Sequence, residues 1–182
     1  MHGIVLTNLE RFLRAKGVPT ATPSSYHGDS VYDDGQLELL LGQGTAHFAP
    51  MTREQLLEQF GRHLALDTFP GLAPEFYERH KTFQSCLLSV EDQIHTVVRS
   101  ALPGAAPPHL RVSALGEAGV VIAYTSARRL CPLLLGLVAG TAEKYEIQVE
   151  STEALCALRG DPWCSIIVQA QVDEAARSAS NT

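Results

Sequence analysis

The chain has 182 residues, 45% of them hydrophobic and 19% charged, proportions that suit one well-buried core and a single domain over residues 1–182. A formal net charge of −6 argues against a nucleic-acid partner, because little here would replace the counterions of a phosphate backbone. The apolar, uncharged run Leu130 to Ala142 is too short to cross a bilayer. Charged residues Glu10, Arg11, Arg14 and Lys16 follow the N-terminus too closely for a secretion signal, so a cytoplasmic location away from membranes is expected.

In chain order, Val5, Leu9, Phe12 and Leu13 recur at helical spacing, and Gly17-Val18-Pro19 ends that first helix. Residues 18–50 are rich in Pro, Ser, Gly and Asp and read as a loop with one short helix at Gln36–Leu41. Thr52-x-x-Gln55 has the form of a capping box, after which Leu56, Leu57, Phe60 and Leu64 share a helical face. A further helix is expected within Ala73–Lys81, and a longer one from Thr82 to Leu102, stopped by Pro103-Gly104. The periodicity then changes. His109–Leu115 and Val120–Ser126 are short β-rich runs joined by Gly116-Glu117-Ala118-Gly119, a hairpin pattern. Arg129–Lys144 is helical. Tyr145–Ser151 and Cys164–Val172 alternate like strands about a turn at Arg159-Gly160-Asp161-Pro162, and a frayed tail covers 174–182. A helical first half followed by β-β-α-β-β predicts an α+β fold with an antiparallel sheet, in which residues 1–60 form a helical segment and residues 61–182 the remainder.

Tyr124-x-Ser126-x-Arg128 places a phenol, a hydroxyl and a guanidinium at alternating positions, which point one way if the strand runs through them. Such a fork of donors suits carboxylates, and two carboxylates on an otherwise apolar ligand describe the propionates of haem. Haem iron needs an axial ligand, most often a neutral histidine nitrogen. Of seven histidines, His95 stands inside a long amphipathic helix, after Leu87-Leu88-Ser89-Val90-Glu91-Asp92-Gln93-Ile94. Without a Cys-x-x-Cys-His sequence, any haem would be held without thioether links.

The opening Met-x-Gly-Ile-Val, the Phe60-Gly61 pair, His95, Pro108, the Tyr-x-Ser-x-Arg motif and Gly136-Leu137 occur in an order that resembles the haem–nitric oxide/oxygen binding (H-NOX) family, which includes the sensor domain of soluble guanylate cyclase. The resemblance implies a helical distal half, a proximal helix and sheet, and a non-covalent haem b buried between them. It makes His95 the iron ligand, with acidic Asp92 three positions before it. It gives Pro108 the place of a proline that pushes the porphyrin out of plane, and Tyr124, Ser126 and Arg128 the propionates. Oxygen-binding members carry a tyrosine nine residues beyond the motif's own; here that position is Leu133. With Val5, Leu9 and Leu137 it would line an apolar distal pocket that takes nitric oxide and carbon monoxide but holds no stable oxygen complex. The family's role would make the chain a nitric oxide sensor and not an enzyme, regulating a separate signalling protein such as a histidine kinase or a cyclic-di-GMP enzyme. The departure from the family lies in residues 20–50, which lack its helical distal pattern.

Four cysteines suit reduced thiols or a metal site better than a disulfide framework. Some bacterial H-NOX proteins carry a four-cysteine zinc site that Cys131, Cys156 and Cys164 resemble, with Glu153 where the fourth cysteine would stand. Three reduced thiols, or a Cys156–Cys164 disulfide closing the hairpin, are the plainer readings. Cys86 reads as a core thiol. A cysteine thiol or zinc redox-sensing module with weak or no haem is thus the alternative function. An enzyme has little support: no Ser/His/Asp order, no paired acids in an apolar setting and no phosphate loop occur.

Overall fold

In a computed structural model, which describes residues 1–20 and 26–171, the first helix α1 (Gly3–Ala15) starts at His2, whose Nδ1 accepts the Ile4 N–H at 3.2 Å. It buries Leu9, Phe12 and Leu13 of the expected face together with Leu6, while Val5 is only partly buried. The second helix, α2 (Gly35–His47), is twice the expected length. Gly42 and Gly44 hide its C-terminal half from a propensity reading, yet Leu37, Leu40, Leu41 and Gly44 form one buried stripe at i, i+3, i+4 and i+7. Gly44 has a packing reason: a Cβ there would lie 2.6 Å from Leu56 and 2.8 Å from Leu13.

The capping box of α3 (Arg53–His63) forms in both directions, with Gln55 N–H on Thr52 Oγ1 at 3.2 Å and Thr52 N–H on Gln55 Oε1 at 2.9 Å. A π-helical turn at Leu64–Thr68 leads into the short α4 (Phe69–Leu72) and α5 (Pro74–Arg79). The helix expected over 82–102 runs as α6 (Phe83–Val90) and α7 (Thr96–Ala101), joined through a π-helical turn at Glu91–His95.

Four strands, β1 (His109–Leu115), β2 (Gly119–Thr125), β3 (Val149–Leu155) and β4 (Cys164–Ala170), form an antiparallel sheet in the order β1-β2-β4-β3. This is the α+β class expected. The third strand begins at Val149, not Tyr145. Tyr145 N–H still bonds the last carbonyls of α8 (Cys131–Lys144), and Glu146 takes a φ of 57° that turns the chain before pairing starts. Polar Thr152 and Glu153 extend β3 beyond Ser151 because it is an edge strand, paired with β4 alone. Val172 and the tail 174–182 lie outside the described residues.

The helix α8 separates two cores. Leu133 and Leu137 pack against the helical core of α1, α2 and α3, whereas Leu134, Val138 and Ala142 pack against the sheet, Phe83 and Leu87. It meets α3 backbone to backbone. A Cβ on Gly61 would lie 2.3 Å from the Leu133 carbonyl oxygen, and one on Gly136 2.0 Å from that of Glu58. The Phe60-Gly61 and Gly136-Leu137 pairs are therefore the two sides of one helix crossing.

Candidate haem site and thiol cluster

The turn Glu91–His95 is closed by the Thr96 N–H on the Glu91 carbonyl, an i→i+5 bond that inserts one residue into the helix just where His95 stands. The His95 side chain is 17% exposed, and its Nδ1 meets Glu91 Oε2 at 3.1 Å. With a proton on Nδ1, Nε2 carries the lone pair. Burial pushes the His95 pKa below its ordinary value, outweighing the pull of Glu91, and so favours the neutral imidazole that ligates metals. The acidic side chain that reaches this imidazole is Glu91, four residues back, whereas Asp92 is exposed. An i, i+4 pairing on a helix was the available signal.

Pro108 is half-buried just before β1, and its carbonyl accepts Arg99 Nη1 at 3.2 Å. One turn of helix and the Pro108 segment are thereby linked.

The Tyr-x-Ser-x-Arg motif is not one extended face. The β2 strand ends at Thr125, and Ser126–Arg129 turn, with Arg129 N–H on the Ser126 carbonyl at 3.2 Å and Arg129 at φ 50°. Tyr124 is buried; its hydroxyl accepts the Leu130 N–H at 3.1 Å and meets the Ser126 hydroxyl. Ser126 Oγ accepts the Arg128 N–H at 3.2 Å. Arg128 turns toward the helical half, giving Nε to Asp34 Oδ1 at 2.8 Å and Nη1 to the Ala106 carbonyl at 2.7 Å. N–H groups on both terminal nitrogens remain for a further acceptor. Burial would raise the Asp34 carboxyl pKa, but hydrogen bonds from the Met1 ammonium and Arg128 bring it below its ordinary value. Nothing in the sequence pairs Asp34 with Arg128, 94 residues apart.

Of the four residues expected in the distal pocket, Leu9 lies in the buried helical core, and Val5, Leu133 and Leu137 pack, partly buried, against that core. Tyr26 and Tyr32 border the same cluster, but their hydroxyls engage exposed partners. Tyr26 donates to Gln36 Oε1 at 3.1 Å, and Tyr32 accepts the His27 N–H at 2.8 Å.

A second constellation lies beside the motif, at the end of the sheet where Tyr124 pairs with Cys164. Cys131 opens α8, Cys156 follows β3 and Cys164 starts β4, and all three are buried, with their sulfurs within 4.8 Å of one another. Cys131 and Cys156 are closest, at 3.7 Å between sulfurs. Asp161 Oδ2 accepts the Cys156 N–H at 2.7 Å and the Ala157 N–H points at Cys164 Sγ at 3.3 Å, so the turn at 157–163 holds the sulfurs in place. All four cysteines are free, so the Cys156–Cys164 disulfide reading does not hold. The Glu153 carboxylate is not one of the clustered groups. Its Oε2 lies 3.7 Å from Arg159 Nη1, and its Oε1 is buried with no hydrogen-bond partner among the described residues. Burial raises the Cys131 and Cys164 thiols above their ordinary pKa; Cys156 adds to both shifts, while the Ala157 N–H and a hydrogen bond with Cys131 partly offset that of Cys164. Cys86 is buried on α6, in keeping with a core thiol.

A family model described as haem-NO-binding matches residues 8–153, a span that contains His95, Pro108 and the whole Tyr-x-Ser-x-Arg motif. The chain belongs to the haem-NO-binding (HNOB, or H-NOX) family, whose members are non-catalytic sensor modules. Among solved structures, an H-NOX protein from S. oneidensis in the Fe(II)NO ligation state superposes with a TM-score of 0.84 at 21% identity, over 94% of this chain and 100% of that one. The unliganded Fe(II) H-NOX protein from K. algicida superposes with a TM-score of 0.81 at 20% identity, over 96% and 98%. No curated protein matches the chain. Among the described residues no helix is long and apolar enough to cross a membrane.

Proposed function

We propose that this chain binds haem b through His95 and senses nitric oxide. The observation that carries the reading is the His95 imidazole: neutral by burial, held at Nδ1 by Glu91, with Nε2 left to bind a metal. The remaining residues fit haem in donor type. Arg128 keeps N–H groups for a propionate, beside the Tyr124–Ser126 hydroxyl pair, and Val5, Leu9, Leu133 and Leu137 supply an apolar wall. Half-buried Pro108 would pack against the bound haem. When bound, haem supplies a ferrous iron that accepts a diatomic gas. Were His95 to come off the bound group, the segment 83–101 would be free to shift against the sheet, and that shift would be read by a separate signalling protein, a histidine kinase or a cyclic-di-GMP enzyme.

Arg128→Ala is expected to weaken haem retention by the worth of a charge-assisted hydrogen bond, about 1.5–3 kcal/mol. Haem content after gel filtration, compared with the wild-type chain, checks it; equal content would remove Arg128 from the propionate site.

Gas selectivity follows from the distal wall. Iron-bound oxygen needs a hydrogen-bond donor, and Leu133 and Leu137 offer none, while the Tyr26 hydroxyl donates to Gln36 Oε1. Stable nitric oxide and carbon monoxide complexes and no stable oxygen complex are expected. A persistent oxygen-bound spectrum of the reduced protein in air would contradict this.

The three clustered sulfurs support a second reading, a zinc site. Zinc takes four ligands in structural sites, and Glu153, whose Oε1 is buried without a hydrogen-bond partner among the described residues, is the candidate for the fourth. Glu153→Cys should raise zinc content per chain, measured by metal analysis after purification without chelator. Unchanged, near-zero zinc in both proteins would leave Cys131, Cys156 and Cys164 as reduced core thiols. A redox switch at these thiols ranks behind zinc, since burial keeps Cys131 and Cys164 protonated and poorly nucleophilic.

A further inference from the structure

Glu91 is the acidic group at which helix, imidazole and sheet meet. Its Oε2 takes the His95 Nδ1 at 3.1 Å and the Leu110 backbone N–H at 3.0 Å. Its Oε1 pairs with Arg99 Nη2, about two turns further along the helix, and lies 3.7 Å from His109 Nδ1. Arg99 then reaches across to the Pro108 carbonyl through Nη1 at 3.2 Å. The π-helical turn brings these groups together, and both ends of the arrangement are anchored: one on helix 83–101, the other on the chain entering β1.

We propose that Glu91 is the positioning residue for His95, and that Arg99 sets how much of the Glu91 charge His95 receives. This rests on the reading of His95 as the iron ligand. A carboxylate accepting the Nδ1 proton fixes the tautomer that presents Nε2, stops rotation of the ring and makes the imidazole a stronger donor to a metal. The same oxygen holds Leu110, so a movement of His95 pulls on the first residues of β1. Arg99 opposes the donor effect by drawing the carboxylate's charge toward itself, and it ties the Pro108 carbonyl to the same node. The iron ligand and the proline thus share a two-residue clamp.

A purely structural Glu91, one that only staples the helix to Leu110, makes a different prediction, and two variants separate the cases. In haem-free protein, nitrogen NMR of the histidines should show His95 as the Nδ1–H tautomer, and Glu91→Gln should lose that preference. In the reduced, haem-loaded protein, Glu91→Gln should move the iron–histidine stretching band to lower frequency and speed haem transfer to a scavenger on the order of tenfold. Arg99→Gln should move the band the other way, since the carboxylate is then left to His95. Opposite shifts are expected; a structural staple would lower thermal stability in both variants and leave the band where it is. If the wild-type band vanishes in His95→Gly but neither Glu91→Gln nor Arg99→Gln moves it, the positioning role is overturned while the ligand assignment stands. If the band persists in His95→Gly, the ligand assignment itself fails.

Discussion

His95→Gly is expected to abolish the ferrous haem spectrum of the wild-type chain, and added imidazole to restore it. The side chain is partly buried, with Glu91 holding its Nδ1, so its removal leaves a pocket of imidazole size beside an acceptor already in place. Free imidazole can fill that pocket, donate one nitrogen to Glu91 and offer the other to the metal. Rescue should be weaker in a His95→Gly, Glu91→Gln double variant, which has lost the charged acceptor. An unchanged ferrous spectrum in His95→Gly would show that another residue is the ligand. Absorbance titration with imidazole measures both effects in one experiment.

The second large effect concerns the crossing of α3 and α8. Gly136→Ala should destabilise the protein by about 3 kcal/mol or more, at the upper end of overpacking costs. The added Cβ would meet the Glu58 carbonyl oxygen at 2.0 Å, with the carbonyl carbon and Cα of Glu58 at 2.8 and 2.9 Å. All three are backbone atoms of a helix interior, so no side chain can rotate away. Relief would require α3 and α8 to separate, and with them the cores that α8 divides. For a chain of this size the melting temperature should fall by roughly 6–12 °C. Gly42→Ala is the control: it is also a helical glycine, nothing lies within 4 Å of its added Cβ, and it should be neutral or gain about 0.5–1 kcal/mol. Equal melting temperatures for the two variants would contradict the packing account.

Local chemistry was readable from the sequence wherever neighbouring residues carry it. The Thr52–Gln55 box, the Gly116–Gly119 hairpin and the apolar stripe of α1 each involve residues within a turn or two of one another. The misreadings came where tertiary context decides. In α2, packing of Gly44 against Leu13 and Leu56 overrides the poor helix propensity of two glycines. At Tyr145 the apolar alternation is satisfied by a helix-terminal turn and a bond from its hydroxyl to the His80 carbonyl, not by a strand. In the Tyr-x-Ser-x-Arg motif, the period-2 spacing outlasts the strand itself, because Arg128 finds Asp34 and Ala106 by leaving the sheet. The clustering of Cys131, Cys156 and Cys164 was legible only through the resemblance, since pairing of β3 with β4 is what brings the last two beside the start of α8.

The central claim is tested most directly by the visible spectrum of the purified, reduced protein, recorded without gas and then with nitric oxide. The account predicts a Soret band before the gas is added, a shift of that band on adding nitric oxide, and loss of the first spectrum in His95→Gly. A protein that stays colourless after incubation with haem, while remaining folded by circular dichroism, would contradict it.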